Sequence, residues 1–238
     1  YFLLISLTQL FKTMKRIAFL LIFSVTFSFL YAQKDTINVR PFHFSFIYPV
    51  STAGVYSVNN GYIISVNLLA GITGAANGLE IGGITNVNRF YNKGIQIAGI
   101  SNVNGSYNRG FQLAGICNLT GSYSYGVQTA GICNVTGGTS TGLQLAGISN
   151  ITGEGMQGLQ VAGISNLTGG DAGGVQLAGI SNISEDITGI QTAGIINIAG
   201  DAHAAQIGGI GNVADEVKGI QVGGIFNVAG YVKGIQLA

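Results

Sequence analysis

Residues able to do chemistry are scarce in this chain of 238 residues, and their spacing serves none of the usual reactions. Histidine occurs only at His43 and His203, far apart and with no Cys or carboxylate cluster beside either. A zinc site needs three or four ligands, so both read as satisfied or solvated side chains. Asp171, Glu185, Asp186, Asp201, Asp215 and Glu216 fall in short linkers. Lined up along one edge they could hold Ca2+ weakly, but their spacing is irregular and solvated turn positions explain them better. There is no Ser-His-Asp or Cys-His set and no regular carboxylate pair, so hydrolase or lyase chemistry has no footing. Gly209-Ile210-Gly211-Asn212-Val213-Ala214 imitates a dinucleotide fingerprint but lacks the strand-to-helix context that gives the fingerprint its meaning. The expectation is a protein that is not an enzyme, with no cofactor and no metal.

What the chain has instead is a repeat, and it dictates the architecture. Gln96, Gln112, Gln128, Gln144, Gln160 and Gln176 recur at one constant interval, and Gln191, Gln206, Gln221 and Gln236 follow at an interval shorter by one. Glu80 opens the column, one full repeat before Gln96. A second column is Asn without exception: Asn102, Asn118, Asn134, Asn150, Asn166, Asn182, Asn197, Asn212 and Asn227. Glycine holds another from Gly99 to Gly224, and isoleucine the next from Ile100 to Ile225. The unit reads G-φ-Q-φ-A-G-I-x-N-φ-T-G plus a short linker.

β-Branched residues between glycines read as strand, and the phase of the apolar positions breaks at Ala-Gly and near Asn. That suits two short strands with corners between them. Leu159, Val161, Ile164 and Leu167 are the expected core positions of one unit. One unit cannot bury enough surface to fold alone, so units must stack on their neighbours. In a parallel stack like residues lie about 4.8 Å apart, and columns of Gln and Asn can satisfy one another as internal amide ladders. The expected fold is all-β, a parallel β-solenoid of about eleven 15–16-residue coils with an N-terminal β cap. Thr120, Thr136, Thr152 and Thr168, continued by Ser184, form a hydroxyl column that could bind ice or a polysaccharide, although turns favour Thr and Ser anyway. The five Asn-x-Thr/Ser sequons from Asn118 to Asn182 are by-products of the Asn column.

The alternative is an antiparallel transmembrane β-barrel, whose strands are also about ten residues between turns. Against it, the linkers show no odd-even alternation, and from Gly94 onward the aromatic residues are few: Tyr107, Phe111, Tyr123, Tyr125, Phe226 and Tyr231. Cys117 and Cys133 discriminate between the two folds. A parallel stack sets their Cα atoms about 4.8 Å apart, within disulfide range, whereas an antiparallel hairpin separates them by about 13 Å. Within the stack a disulfide and a free buried pair both remain open.

Composition narrows the class further. Gly numbers 39, Pro 2 and Trp 0, charged residues make up only 8% and the net charge is +1. Intrinsic disorder and collagen are excluded, and nothing suggests binding to nucleic acid. Met14-Lys15-Arg16 followed by the apolar run 17–30 and Ala32 has the layout of a secretory signal peptide over 14–32, with 1–13 as translated upstream sequence. Residues 33–77 form the expected cap region and 78–238 the repeat, which stops inside a unit as a truncated solenoid would.

The tandem pattern, preceded by Ser65-Val66-Asn67-Leu68-Leu69-Ala70-Gly71, resembles the bacterial surface repeat proteins over 62–238. The resemblance implies an exported protein at the cell surface, outer membrane or periplasm, and it brings no catalytic residue. The expected role is a structural spacer or binding surface, with an outer-membrane barrel protein as the alternative. The partner is unknown; the outer membrane, an extracellular polymer and a protein are the candidates.

Overall fold

The structure, a computed structural model, describes residues 37–238; the expected upstream segment 1–13 and the expected signal peptide 14–32 lie outside the described residues. The chain winds as a parallel β-solenoid of about ten turns, each close to the repeat length. One coil shows the plan. Met156–Ala162 is a strand, Gly163 and Ile164 make a corner, Ser165–Thr168 is a second strand, and 169–171 turn into the next coil. Each strand pairs in parallel with its equivalents above and below, Gln144 with Gln160 and Gln160 with Gln176, Asn150 with Asn166 and Asn166 with Asn182. Among the described residues only Val50–Ser51 pairs antiparallel, folding back on the first strand. Parallel coil-on-coil pairing excludes the barrel, which requires antiparallel neighbours.

The shortening of the repeat after Gln176 leaves this register intact. Ala172 pairs with Ile187 and Asn182 with Asn197, so the missing residue comes out of the turn. The N-terminal region joins the same stack: Asn38–Ile47 runs parallel to residues 60–70, and one strand, Asn60–Gly82, continues across position 77 into the repeat. His43 lies buried there, its Nδ1 3.1 Å from Ser65 Oγ and its ring stacked on Tyr62 at 4.5 Å. Burial lowers its pKa.

Two expectations about the cross-section are overturned. The aliphatic positions do not form the core: Ile164 is 42% exposed, and Leu159, Val161 and Leu167 are only half-buried on the outer surface. The interior of that coil is Met156, Gln160, Ala162, Asn166 and Thr168. The hydroxyl column is likewise internal. Thr136, Thr152, Thr168 and Ser184 are wholly buried and Thr120 nearly so, which removes them as an ice- or polysaccharide-binding face.

The reason is geometric. Alternation along a strand sends Leu159 and Val161 to one side and Gln160 and Ala162 to the other. The glycine corner lets the two strands of a coil approach closely enough for Asn150 Nδ2 to reach Gln144 O across the interior at 3.3 Å. Over most of the stack such a narrow channel is filled by flat amides and small side chains. Towards the C-terminus the filling turns apolar, as Ala172, Ile187, Ala199, Ala202, Ala214 and Val217 pack together.

Candidate functional site

The expected ladder residues come together, and their bonds run in opposite senses. Gln Nε2 donates to the Gln Oε1 of the preceding coil from Gln236 to Gln96, at 2.6–3.0 Å. Asn Nδ2 donates to the Asn Oδ1 of the following coil from Asn67 to Asn227, at 2.8–3.0 Å. The Asn side chains of the repeat also give their second proton to a strand carbonyl of the next coil, as Asn150 does to Val161 O at 2.8 Å. That carbonyl fixes which end of the Asn amide carries nitrogen. Thr120 links the two glutamines beside it, donating to Gln112 Oε1 and accepting from Gln128 Nε2.

Glu80 sets the sense of the Gln column. Its carboxylate accepts from Gln96 Nε2 at 2.8 Å, Asn88 Nδ2 at 2.8 Å and Asn67 Nδ2 at 3.3 Å. A carboxylate offers no proton, so Gln96 must present its nitrogen, and every later glutamine follows. Burial raises the Glu80 pKa, and the donors from Gln96, Asn88, Asn67 and Ser65 oppose that rise without cancelling it. A carboxyl whose folded-state pKa is raised favours the folded state most at low pH and loses that contribution as pH climbs past its unfolded value. The wild type should therefore lose stability relative to Glu80→Gln as pH rises from about 4 to 7. Denaturant unfolding of both proteins across that range checks it; a gap that stays flat or widens the other way contradicts it.

Cys117 and Cys133 face each other in adjacent coils with Cα atoms 4.8 Å apart and are joined as a disulfide. The expected outcome is that unfolded but unreduced protein takes up no alkylating reagent. For a loop of this length, reduction should lower stability by about 3 kcal/mol. Two labelled thiols without reductant would refute the bond.

The interior of the repeat holds small side chains beside amides and hydroxyls that are mostly bonded to one another, with Asn92 Oδ1 buried and unpaired. Among the described residues no group of three or more His, Cys, Asp and Glu is placed to hold a metal. Of the linker acids, Asp171, Glu185 and Asp186 lie between strands, whereas Asp201, Asp215 and Glu216 fall within the strands Asp201–Gly208 and Gly211–Gly223. Asp186 Oδ1 accepts from Asp201 N at 2.7 Å and Glu216 pairs with Lys218 at 2.8 Å. His203 is exposed in a turn strand, far along the stack from His43. The sequons are closed to modification because each Asn is wholly buried. Gly209 and Ile210 form a corner between strands, with no helix after them.

The outer surface is where the molecule can meet something. Ile100, Ile116, Ile132, Ile148, Ile164 and Ile180 form one exposed ridge, each 41–42% accessible. Two further aliphatic columns flank the Gln positions, one with Leu113, Leu177 and Ile207 exposed and the other with Ile95, Ile190 and Ile220 exposed. Contiguous apolar surface of this extent marks a contact region in a soluble protein. The turn edge has an aromatic ladder as well: Tyr91, Tyr107 and Tyr123 stack with centroids 5.0 and 4.9 Å apart and ring planes within 7°. Lys93 and Arg109 sit over these rings at 4.7–5.7 Å. The three tyrosines recur at the same interval as the Gln column beside them, a signal present in the sequence.

No protein-family profile, curated protein or solved structure matches this chain.

Proposed function

We propose that this is a non-enzymatic, exported repeat protein of the bacterial cell envelope, a rigid spacer whose outer columns serve as a binding surface. The observation that supports it is the unbroken in-register stack, with side-chain amides bonded from coil to coil inside and identical aliphatic residues repeated outside. A stack bonded along its whole length resists bending, and each added coil extends it by one strand spacing, about 4.8 Å. Repetition of one outward pattern gives a partner many equivalent contacts, so weak single contacts sum to firm attachment. The signal-peptide layout of residues 14–32 supports export.

The apolar ridge favours the outer membrane or an apolar envelope protein as the surface it meets. X-ray scattering of the purified chain, and of a variant with residues 156–186 duplicated, tests the spacer role. The expected result is a rod whose maximum dimension grows by about 10 Å for the two added coils. A compact particle, or one whose length does not change, contradicts it. Recovery of the native protein in the cytosolic fraction would contradict the envelope location.

A further inference from the structure

The tyrosine ladder stops abruptly. Tyr91, Tyr107 and Tyr123 occupy one position in consecutive coils, and the next coil carries Thr139 there. The face of Tyr123 that would meet a fourth ring opens instead onto a notch of about 460 Å³ lined by Arg109, Tyr123, Ser124, Tyr125, Thr139 and Thr141. No acidic side chain lines it, and among the described residues Arg109 makes no ion pair; its guanidinium lies 5.7 Å from the Tyr123 ring centre. Tyr125 takes the place that Lys93 and Arg109 hold in the two coils before it and is 62% exposed.

We infer that this notch, where the ring stack ends, is a binding site for an acidic sugar of a polysaccharide. Four of the lining groups match parts of such a ligand. The free face of Tyr123 takes the C–H face of a pyranose ring, a flat apolar contact on a π surface. Thr139 and Thr141 exchange hydrogen bonds with ring hydroxyls, because a hydroxyl both donates and accepts. The Arg109 guanidinium takes the carboxylate in a bidentate pair, to which its planar fork is suited. A nucleobase would also stack on Tyr123, but bidentate readout of adenine uses Asn or Gln and the cytosine amino group uses Asp or Glu, and none of these lines the notch. The chain enters and leaves along the open turn edge, so one residue of a longer polymer can sit in the notch while its neighbours pass outside. The inference stands on the notch alone and would survive loss of the envelope reading.

Calorimetric titration of the full chain with trigalacturonate tests it, with maltotriose and adenosine monophosphate as comparison ligands. One site per chain is expected, with affinity that falls as salt rises. Arg109→Gln should weaken binding tenfold or more, about the worth of a charged hydrogen bond. Thr139→Tyr adds the fourth ring of the stack, fills the notch and should abolish binding, with the unfolding temperature unchanged. Tyr125→Ala alters an exposed side chain and should weaken binding in a protein that still folds. Lys233→Gln, in the last coil, should bind as the wild type does. Failure of the folded wild type to bind trigalacturonate overturns the inference, as does undiminished binding by Thr139→Tyr or by Tyr125→Ala. Equal binding of maltotriose or of the nucleotide would overturn the acidic-sugar assignment.

Discussion

Asn150→Asp should destabilise the protein by about 3–5 kcal/mol, although the two side chains have the same shape. Asn150 is wholly buried; it donates to Asn166 Oδ1 at 2.9 Å, Val161 O at 2.8 Å and Gln144 O at 3.3 Å, and accepts from Asn134 Nδ2 at 2.9 Å. An ionised aspartate would face three acceptors with no proton to give. A protonated one could serve only one of them. The new carboxyl therefore has a raised folded-state pKa, and the loss should shrink as pH falls below the ordinary carboxylate range. Gln157→Asp, on the exposed side of the neighbouring strand, should cost within about 0.5 kcal/mol. Denaturant unfolding followed by circular dichroism measures both. Equal tolerance at the two positions would mean that the amide columns do not carry the stack.

Gly147→Ala should be nearly as damaging, for a reason of space rather than torsion. A Cβ on Gly147 would lie inside contact distance of the Gly131 carbonyl oxygen in the preceding coil. The Gly147 N–H also bonds Ala130 O at 3.2 Å, so the coils cannot separate there without losing a ladder bond. Overpacking of this kind costs about 1–3 kcal/mol or more, and here it recurs at every coil if the whole column is changed. Gly155→Ala is the matched control. Its Cβ would stand 3.5 Å from Asp171 O, an ordinary contact, and the change should be neutral or slightly stabilising. A Gly147→Ala protein melting within a degree or two of Gly155→Ala would contradict the close approach of the coils.

Much of this was legible in the residues. The period, the parallel stacking, the two strands per coil and the amide columns all follow from Gln160, Gly163 and Asn166 recurring in fixed places. Which face of the strand points inward did not follow. Alternation along Leu159-Gln160-Val161-Ala162 gives a parity, and the habit of placing aliphatics inside assigned it wrongly. A better signal was at hand in the contrast between columns. Gln never varies from Gln96 to Gln236, whereas the place before it holds Phe111, Val127, Leu143, Val175, Ile190 and Ala205. A position that admits Phe and Ala alike tolerates changes in volume that the invariant amide column beside it does not. The same contrast would have placed Thr136 and Thr152 inside, since they share the parity of Asn134 and Asn150. The end of the tyrosine ladder could not be read as a cavity, because Arg109, Tyr125 and Thr141 meet only when successive turns are superposed.

The stack depends most on amides lying inside the coil and aliphatic groups outside. Nuclear magnetic resonance with a soluble gadolinium chelate reads both at once on the labelled chain. The predicted result is strong broadening of the methyl groups of Ile116, Ile132, Ile148 and Ile164, while the side-chain NH2 signals of Gln128, Gln144, Asn134 and Asn150 stay sharp. Broadened amides beside protected isoleucine methyls would contradict it.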